Sequence, residues 1–347
     1  MPASAGSGVS NRPDSDNSAW LSQQPEDVLE PWLPICDPHH HLWDFENHRY
    51  LLPDLLGDVT SGHKVLSTVF IECTAMYRAD GPEESRPLGE TEFVNGAAAM
   101  SASGRYGPVR ACAGIVGFAD LSLGAPVEAV LEAHVALAGG RFRGIRHISA
   151  CDPSGAIRRS HTNPPPHLLG EPRFRKGFAR LKTLGLSFDA WLYHHQIPEL
   201  TELARAFPDQ PIVLDHVGGP LGIGPHAGKR AEIFPLWRQA IRDLAHCPNV
   251  TVKLGGLGMK VTGYEFHKRP RPPGSQELAD AWRPYIETCI EAFTPRRCMF
   301  ESNFPVDKVS GSYRVYWNAF KRLAAGASPG EKASLFHDTA AAFYKLA

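Results

Sequence analysis

From residue 34 onward, short apolar runs alternate with longer stretches in which apolar residues recur every three or four positions. The short runs fall at 35–38, 65–72, 109–116, 142–148, 186–193, 211–216, 250–254 and 297–303. They are rich in β-branched and aromatic residues and mostly lack polar alternation, which is the pattern of strands buried on both faces of a parallel sheet. Between them, Trp237, Ile241 and Leu244 fall at i, i+4 and i+7 on one helical face. Tyr316, Phe320 and Leu323 repeat that spacing, as do Phe336, Ala340 and Phe343. Ser328, Pro329 and Glu331 supply a capping box with proline at the first helical position. Eight strands alternating with helices predict a single (β/α)8 TIM barrel of the α/β class. The competing open sheet would carry a Gly-rich phosphate turn after its first strand, and no GxGxxG or Walker-type motif is present.

Composition adds boundaries. The first 18 residues, MPASAGSGVSNRPDSDNS, lack the basic and apolar regions of a signal peptide. Residues 1–30 are expected to form a flexible arm, and 31–347 the barrel domain. No run approaches the ~20 apolar residues of a membrane helix. A formal net charge of -1 gives no pull toward nucleic acid or an anionic membrane. The seven cysteines include no CxxC pair and cannot all pair with one another, so a reducing, cytoplasmic setting is expected.

In a barrel every strand ends at one mouth, and chemistry gathers there. The loops at 43–63, 149–170 and 255–275 are long enough to cover it. The first strand ends in Asp37-Pro38-His39-His40-His41. Alternation along a strand puts His39 and His41 on one side and His40 on the other, a spacing that lets two imidazoles hold one divalent ion such as Zn²⁺. His194 and His195 end the fifth strand and His216 the sixth, while the eighth runs through Glu301-Ser302-Asn303-Phe304-Pro305-Val306-Asp307. Basic groups gather at the same end: Arg143, Arg146 and His147 on the fourth strand, Arg158, Arg159 and His161 in its loop, and Lys253 on the seventh. The loop after the seventh adds His267, Lys268, Arg269 and Arg271. Arginine suits bidentate carboxylate recognition, so a small anionic substrate is expected. Arg143, Arg146, His147 and Lys253, with Tyr77 and Glu72 at the second strand, are the candidate substrate-binding groups. A homo-oligomer is compatible with the sequence.

The HxH at His39 and His41, the YHxQ at 193–196, the LDHxGGP at 214–220 and the ESNFPVD at 301–307 together resemble the amidohydrolase superfamily, in particular its amidohydrolase-2 branch of lactonases and related hydrolases. The similarity runs from about residue 34 to the last residue. It implies metal-dependent hydrolysis of a small carboxylated lactone or ester, with His39, His41 and His194 as metal ligands and His216 beside the substrate. His195 is an alternative to His194. The family's metal-binding, proton-accepting Asp at the end of strand eight corresponds here to Asn303. An amide can offer its oxygen to a metal but cannot take a proton. The base is therefore expected at Asp307, with Glu301 and Glu72 as alternatives. The same substitution leaves open a non-oxidative decarboxylase or lyase, or a silent ligand-binding homologue.

Overall fold

A computed structural model describes residues 17–46, 48–157 and 159–346. Its main sheet contains eight parallel strands in sequential order: β1 (Pro34–His40), β2 (Lys64–Ile71), β3 (Arg110–Gly117), β4 (Phe142–Arg146), β5 (Ser187–Ala190), β6 (Ile212–Leu214), β7 (Val250–Leu254) and β8 (Cys298–Phe300). Each expected run contributes one strand. The first and last meet through a parallel bridge between His40 and Phe304, reinforced by His41 N–H donating to Phe304 O at 2.8 Å and Asn303 N–H to His39 O at 2.9 Å. The barrel is thereby closed, and helices pack around it, including Leu88–Ala102, Arg230–Ala245, Ser275–Phe293 and Tyr313–Leu323.

Trp237, Ile241 and Leu244 are buried on one face, as their spacing requires. The helical run near residue 340 departs from its predicted face. A π-turn at Ser334–Asp338 interrupts it, so Tyr344 is buried where Phe343 was expected. The wider turn shifts the rotational phase of everything after it. Tyr344 then packs with Cys36, Val69, Ile71, Val116, Val213, Met299 and Ala340.

The loop expected at 43–63 carries a two-stranded hairpin, Trp43–Phe45 with His48–Tyr50, and a helix, Leu52–Val59. Residues 1–16 of the expected arm lie outside the described residues. Residues 17–30 are fastened to the barrel: Leu29 N–H donates to Asn318 Oδ1 at 2.9 Å, Lys321 Nζ donates to Leu29 O at 2.7 Å, and Trp20 Nε1 donates to Arg269 O at 3.0 Å. All seven cysteines are unpaired. Among the described residues no helix is long and apolar enough to cross a membrane.

Candidate active site

β1 delivers the three histidines as its alternation dictates. His40 turns away from the mouth, where its Nε2 meets Thr68 Oγ1 at 2.8 Å and its ring packs on Phe70. His39 and His41 share the other side, with ring centroids 5.0 Å apart. The His41 Nδ1–H donates to Ile71 O at 2.8 Å, which turns Nε2 toward Asn303 Oδ1 at 3.3 Å.

β6 and β8 end early, and the residues beyond them turn over the mouth. His216 and Asn303 both take positive φ, 55° in each case, so their side chains leave the strand direction. Gly256 makes room for His216: a Cβ there would lie 2.4 Å from the His216 ring carbon Cγ, and its φ of 68° favours glycine besides. Glu301, fully buried, accepts from His216 Nδ1 at 2.7 Å and from His216 N–H at 3.1 Å through one oxygen. Its second oxygen lies 2.8 Å from His39 Nδ1.

Beneath this bridge lies a buried ion network. Lys253 Nζ contacts Asp189 at 2.7 Å, Asp215 at 3.0 Å and His39 Nδ1 at 3.2 Å. Tyr344 Oη donates to Asp189 at 2.7 Å. Arg146 donates through Nε to Glu72 Oε1 at 2.9 Å and through Nη2 to the Glu72 carbonyl, and its Nη1 stands 3.3 Å from His39 Nε2. Burial opposes every charge here, and pairing decides the outcome. Burial alone would strip the Lys253 proton, but Asp189 and Asp215 hold it and raise the pKa. Burial would push Glu301 up, yet His216 and His39 hold it down at about 2. Burial, with Lys253 adding repulsion, keeps His39 neutral.

Above the network opens a cavity of about 330 Å³. Of the expected site residues, His41, Glu72, Arg146, His216 and Asn303 line it. The loops after β4 and β7 contribute Arg159, Ser160, His161, Met259 and Val261. His39 sits one layer deeper.

Several expectations need correction. His194 does not join His39 and His41. Trp191 and Tyr193 take the cavity positions after β5, and the turn at His194–Gln196 swings His194 aside, where its Nδ1 accepts from Leu221 N–H at 3.3 Å. His195 Nε2 pairs with Cys151 O at 3.1 Å. Asp307 is not in the mouth loop. A 3₁₀ turn, Asp307–Val309, folds it behind Asn303, where it accepts from Asn303 Nδ2 at 2.8 Å and Gly258 N–H at 3.0 Å. Burial pushes its carboxyl well above the usual range. Lys253 lies in the floor network and does not border the cavity. Arg143 sits at the opposite strand parity to Arg146 and donates back to Gly140 O at 2.7 Å. His147 and Tyr77 line a neighbouring cavity of about 660 Å³. Arg158 lies outside the described residues. Sequence reasoning gave no role to Asp189, Asp215 or Tyr344, whose only signal was an inward position on a strand or a helical phase that the π-turn shifts.

Among the described residues one group, His39, His216 and Glu301, brings metal-ligating atoms within 4.8 Å of one another. A catalytic ion needs an open coordination position facing substrate. His39 and Glu301 are fully buried beneath the cavity. Both ring nitrogens of His39 already stand beside fixed cations, Lys253 Nζ at 3.2 Å and Arg146 Nη1 at 3.3 Å. These residues suit a divalent ion by type but do not fit a catalytic one by placement.

The family model described as "Amidohydrolase" matches residues 36–346. An uncharacterized protein, y4mH, of Sinorhizobium fredii is 36% identical over 331 residues, covering 90% of this chain and 99% of its own. An L-fucono-1,5-lactonase of Burkholderia multivorans is 26% identical over 321 residues, covering 89% and 95%. The crystal structure of an amidohydrolase from Burkholderia multivorans with bound zinc superposes with a TM-score of 0.68 at 24% identity, over 90% of this chain and 99% of that one. A match spanning almost the whole barrel, together with a relative at 36% identity, makes this chain a member of the amidohydrolase family, in its amidohydrolase-2 branch.

Proposed function

We propose that the chain hydrolyses a small anionic lactone or related ester, with His216 as general base. One observation carries this: His216 lines the cavity while its Nδ1 is fixed by the buried Glu301 carboxylate at 2.7 Å. That contact leaves Nε2 to take a proton from water, and the carboxylate stabilises the imidazolium that forms. Arg146, held rigid by Glu72, supplies positive charge at the cavity wall for the oxyanion that develops on the attacked carbonyl. Arg159 at the rim suits a substrate carboxylate. His41 and Asn303, side by side, orient substrate hydroxyls. The similarity to proteins named L-fucono-1,5-lactonase supports a lactone as the bond broken.

The test is a panel of carboxylated and neutral lactones, followed by pH-stat. His216→Asn is expected to lower kcat by roughly 10²–10⁴. Wild-type protein dialysed against a chelator, with residual metal measured by plasma mass spectrometry, is expected to keep its activity. Loss of activity on chelation with recovery on adding zinc would overturn the metal-independent step. Failure of every lactone to react would overturn the reading as a whole.

A further inference from the structure

We propose that His161 is the general acid of this site and delivers a proton to the leaving oxygen from the wall opposite His216. The inference rests on the hydrolytic reading above and adds a second carboxylate–imidazole pair to it. His161 Nε2 lies 3.5 Å from Glu72 Oε2. Glu72 is fully buried, its Oε1 is taken by Arg146, and its Oε2 has no hydrogen-bond partner. A buried carboxylate oxygen without a donor is costly, so an N–H donor beside it is favoured. The group in reach is an imidazole that lines the cavity.

Topology places this pair across from the first. Glu72 follows β2, and His216 follows β6; in an eight-stranded ring these strands face one another. Ester hydrolysis needs such an arrangement, since one proton leaves water on one side of the carbonyl carbon and another must reach the departing oxygen. With Nε2 turned to Glu72, Nδ1–H is the donor that remains. His161 rides on the loop after β4, its ring 5.2 Å from Phe118, and its side chain keeps 28% of its exposure, so solvent can reprotonate it. The titratable groups facing it are Glu72 beyond β2 and His147 beyond β4, while Phe118 beyond β3 carries no charge. His161 and Thr74 also border the neighbouring cavity of about 660 Å³, which gives the leaving-alcohol side of a substrate room to extend.

The step balances. Water oxygen bonds to the carbonyl carbon as His216 Nε2 takes its proton. The tetrahedral intermediate then breaks its bond to the ester oxygen, which takes the proton from His161 Nδ1. A carboxylic acid and a hydroxyl result; the acid gives up the second water-derived proton to solvent as a carboxylate, His216 returns its proton to solvent and His161 regains one, so one proton is released per turnover.

The experiment compares two esters sharing one acyl group, an alkyl ester and an aryl ester, with wild type, His161→Ala and His161→Asn. A phenolate departs without protonation and an alkoxide does not. His161→Ala is therefore expected to lower kcat on the alkyl ester by roughly 10²–10³ and on the aryl ester by no more than about threefold. Melting temperatures near wild type are expected, because the residue is loop-borne and partly exposed. Equal losses on both esters, or none on either, would overturn the proposal. So would rescue of the alkyl ester by Asn, which keeps hydrogen bonding without acidity. If wild type turns over lactones but neither open ester, the same comparison is made on an alkyl and an aryl lactone; if it cleaves none of the four, the hydrolytic reading falls and takes this inference with it.

Discussion

Replacing Glu301 by Gln removes a charge and keeps the shape. The carboxylate accepts from His216 Nδ1 at 2.7 Å and His216 N–H at 3.1 Å through one oxygen, and its other oxygen lies 2.8 Å from His39 Nδ1. Glutamine can still accept from His216, but it presents N–H to His39. Its N–H would then face a ring nitrogen that Lys253 Nζ already faces at 3.2 Å, so two donors compete for one lone pair. The larger effect is the lost charge. Burial would raise the Glu301 carboxyl, yet His216 and His39 hold it at about 2 against an ordinary 4.5. That drop corresponds to roughly 3 kcal/mol, or about 10² in an equilibrium. Glu301→Gln is therefore expected to lower kcat by roughly 10²–10³, with KM changing little. The assay is initial-rate lactone hydrolysis by pH-stat, with thermal melting to confirm the fold. A folded variant with kcat within about threefold of wild type would refute the assignment of His216 and Glu301 as a working pair.

Two further outcomes follow from the same network. Asp307→Asn is expected to keep kcat within about tenfold, because Asp307 orients the Asn303 amide and takes no proton from water; a loss of roughly 10³ or more would restore it as the base. Glu90 is pushed to about 8 by burial and by neighbouring Glu72. The folded protein thus keeps a proton that the unfolded chain has released above its ordinary value of 4.5, so stability should fall as pH rises from there to about 8 and then level off. Glu90→Gln should flatten that slope in calorimetric melts and leave the variant more stable than wild type at alkaline pH; parallel slopes would exclude it.

The strands were readable because a fully buried parallel strand has a simple signature, an apolar run of limited length. The run 250–254 matches its strand residue for residue. The shared side of His39 and His41 was readable for the same reason, since position along a strand dictates the side on which a residue emerges; Arg146 was expected together with Arg143, which that rule puts on the other side. Beyond the strand ends that rule lapses. His194 and Asp307 both lie in 3₁₀ turns, where three residues complete a revolution and a shift of one position redirects the side chain. Lys253 was expected at the mouth with the other basic groups, but depth along the strand, which decides whether an inward group meets substrate or the floor, depends on how the eight strands are staggered. Glu301, two positions before Asn303, shares its strand parity and is fully buried beneath the cavity. That it bridges two imidazoles depended on the unusual backbone at His216, which no periodicity reveals.

The hydrogen bonds that shut the barrel, Asn303 to His39 and His41 to Phe304, join residues more than 260 positions apart in the chain. The chemistry is built on that seam: His39 and His41 stand on one lip, Glu301 and Asn303 on the other. Such distant contacts are entropically costly to form and are characteristically late in folding. They are also where a sheet of short strands can part without dismantling its outer helices. Activity therefore reports on whether the two ends of the chain are joined, and on heating it is expected to be lost before the helices melt, as paired rate and circular-dichroism measurements would show.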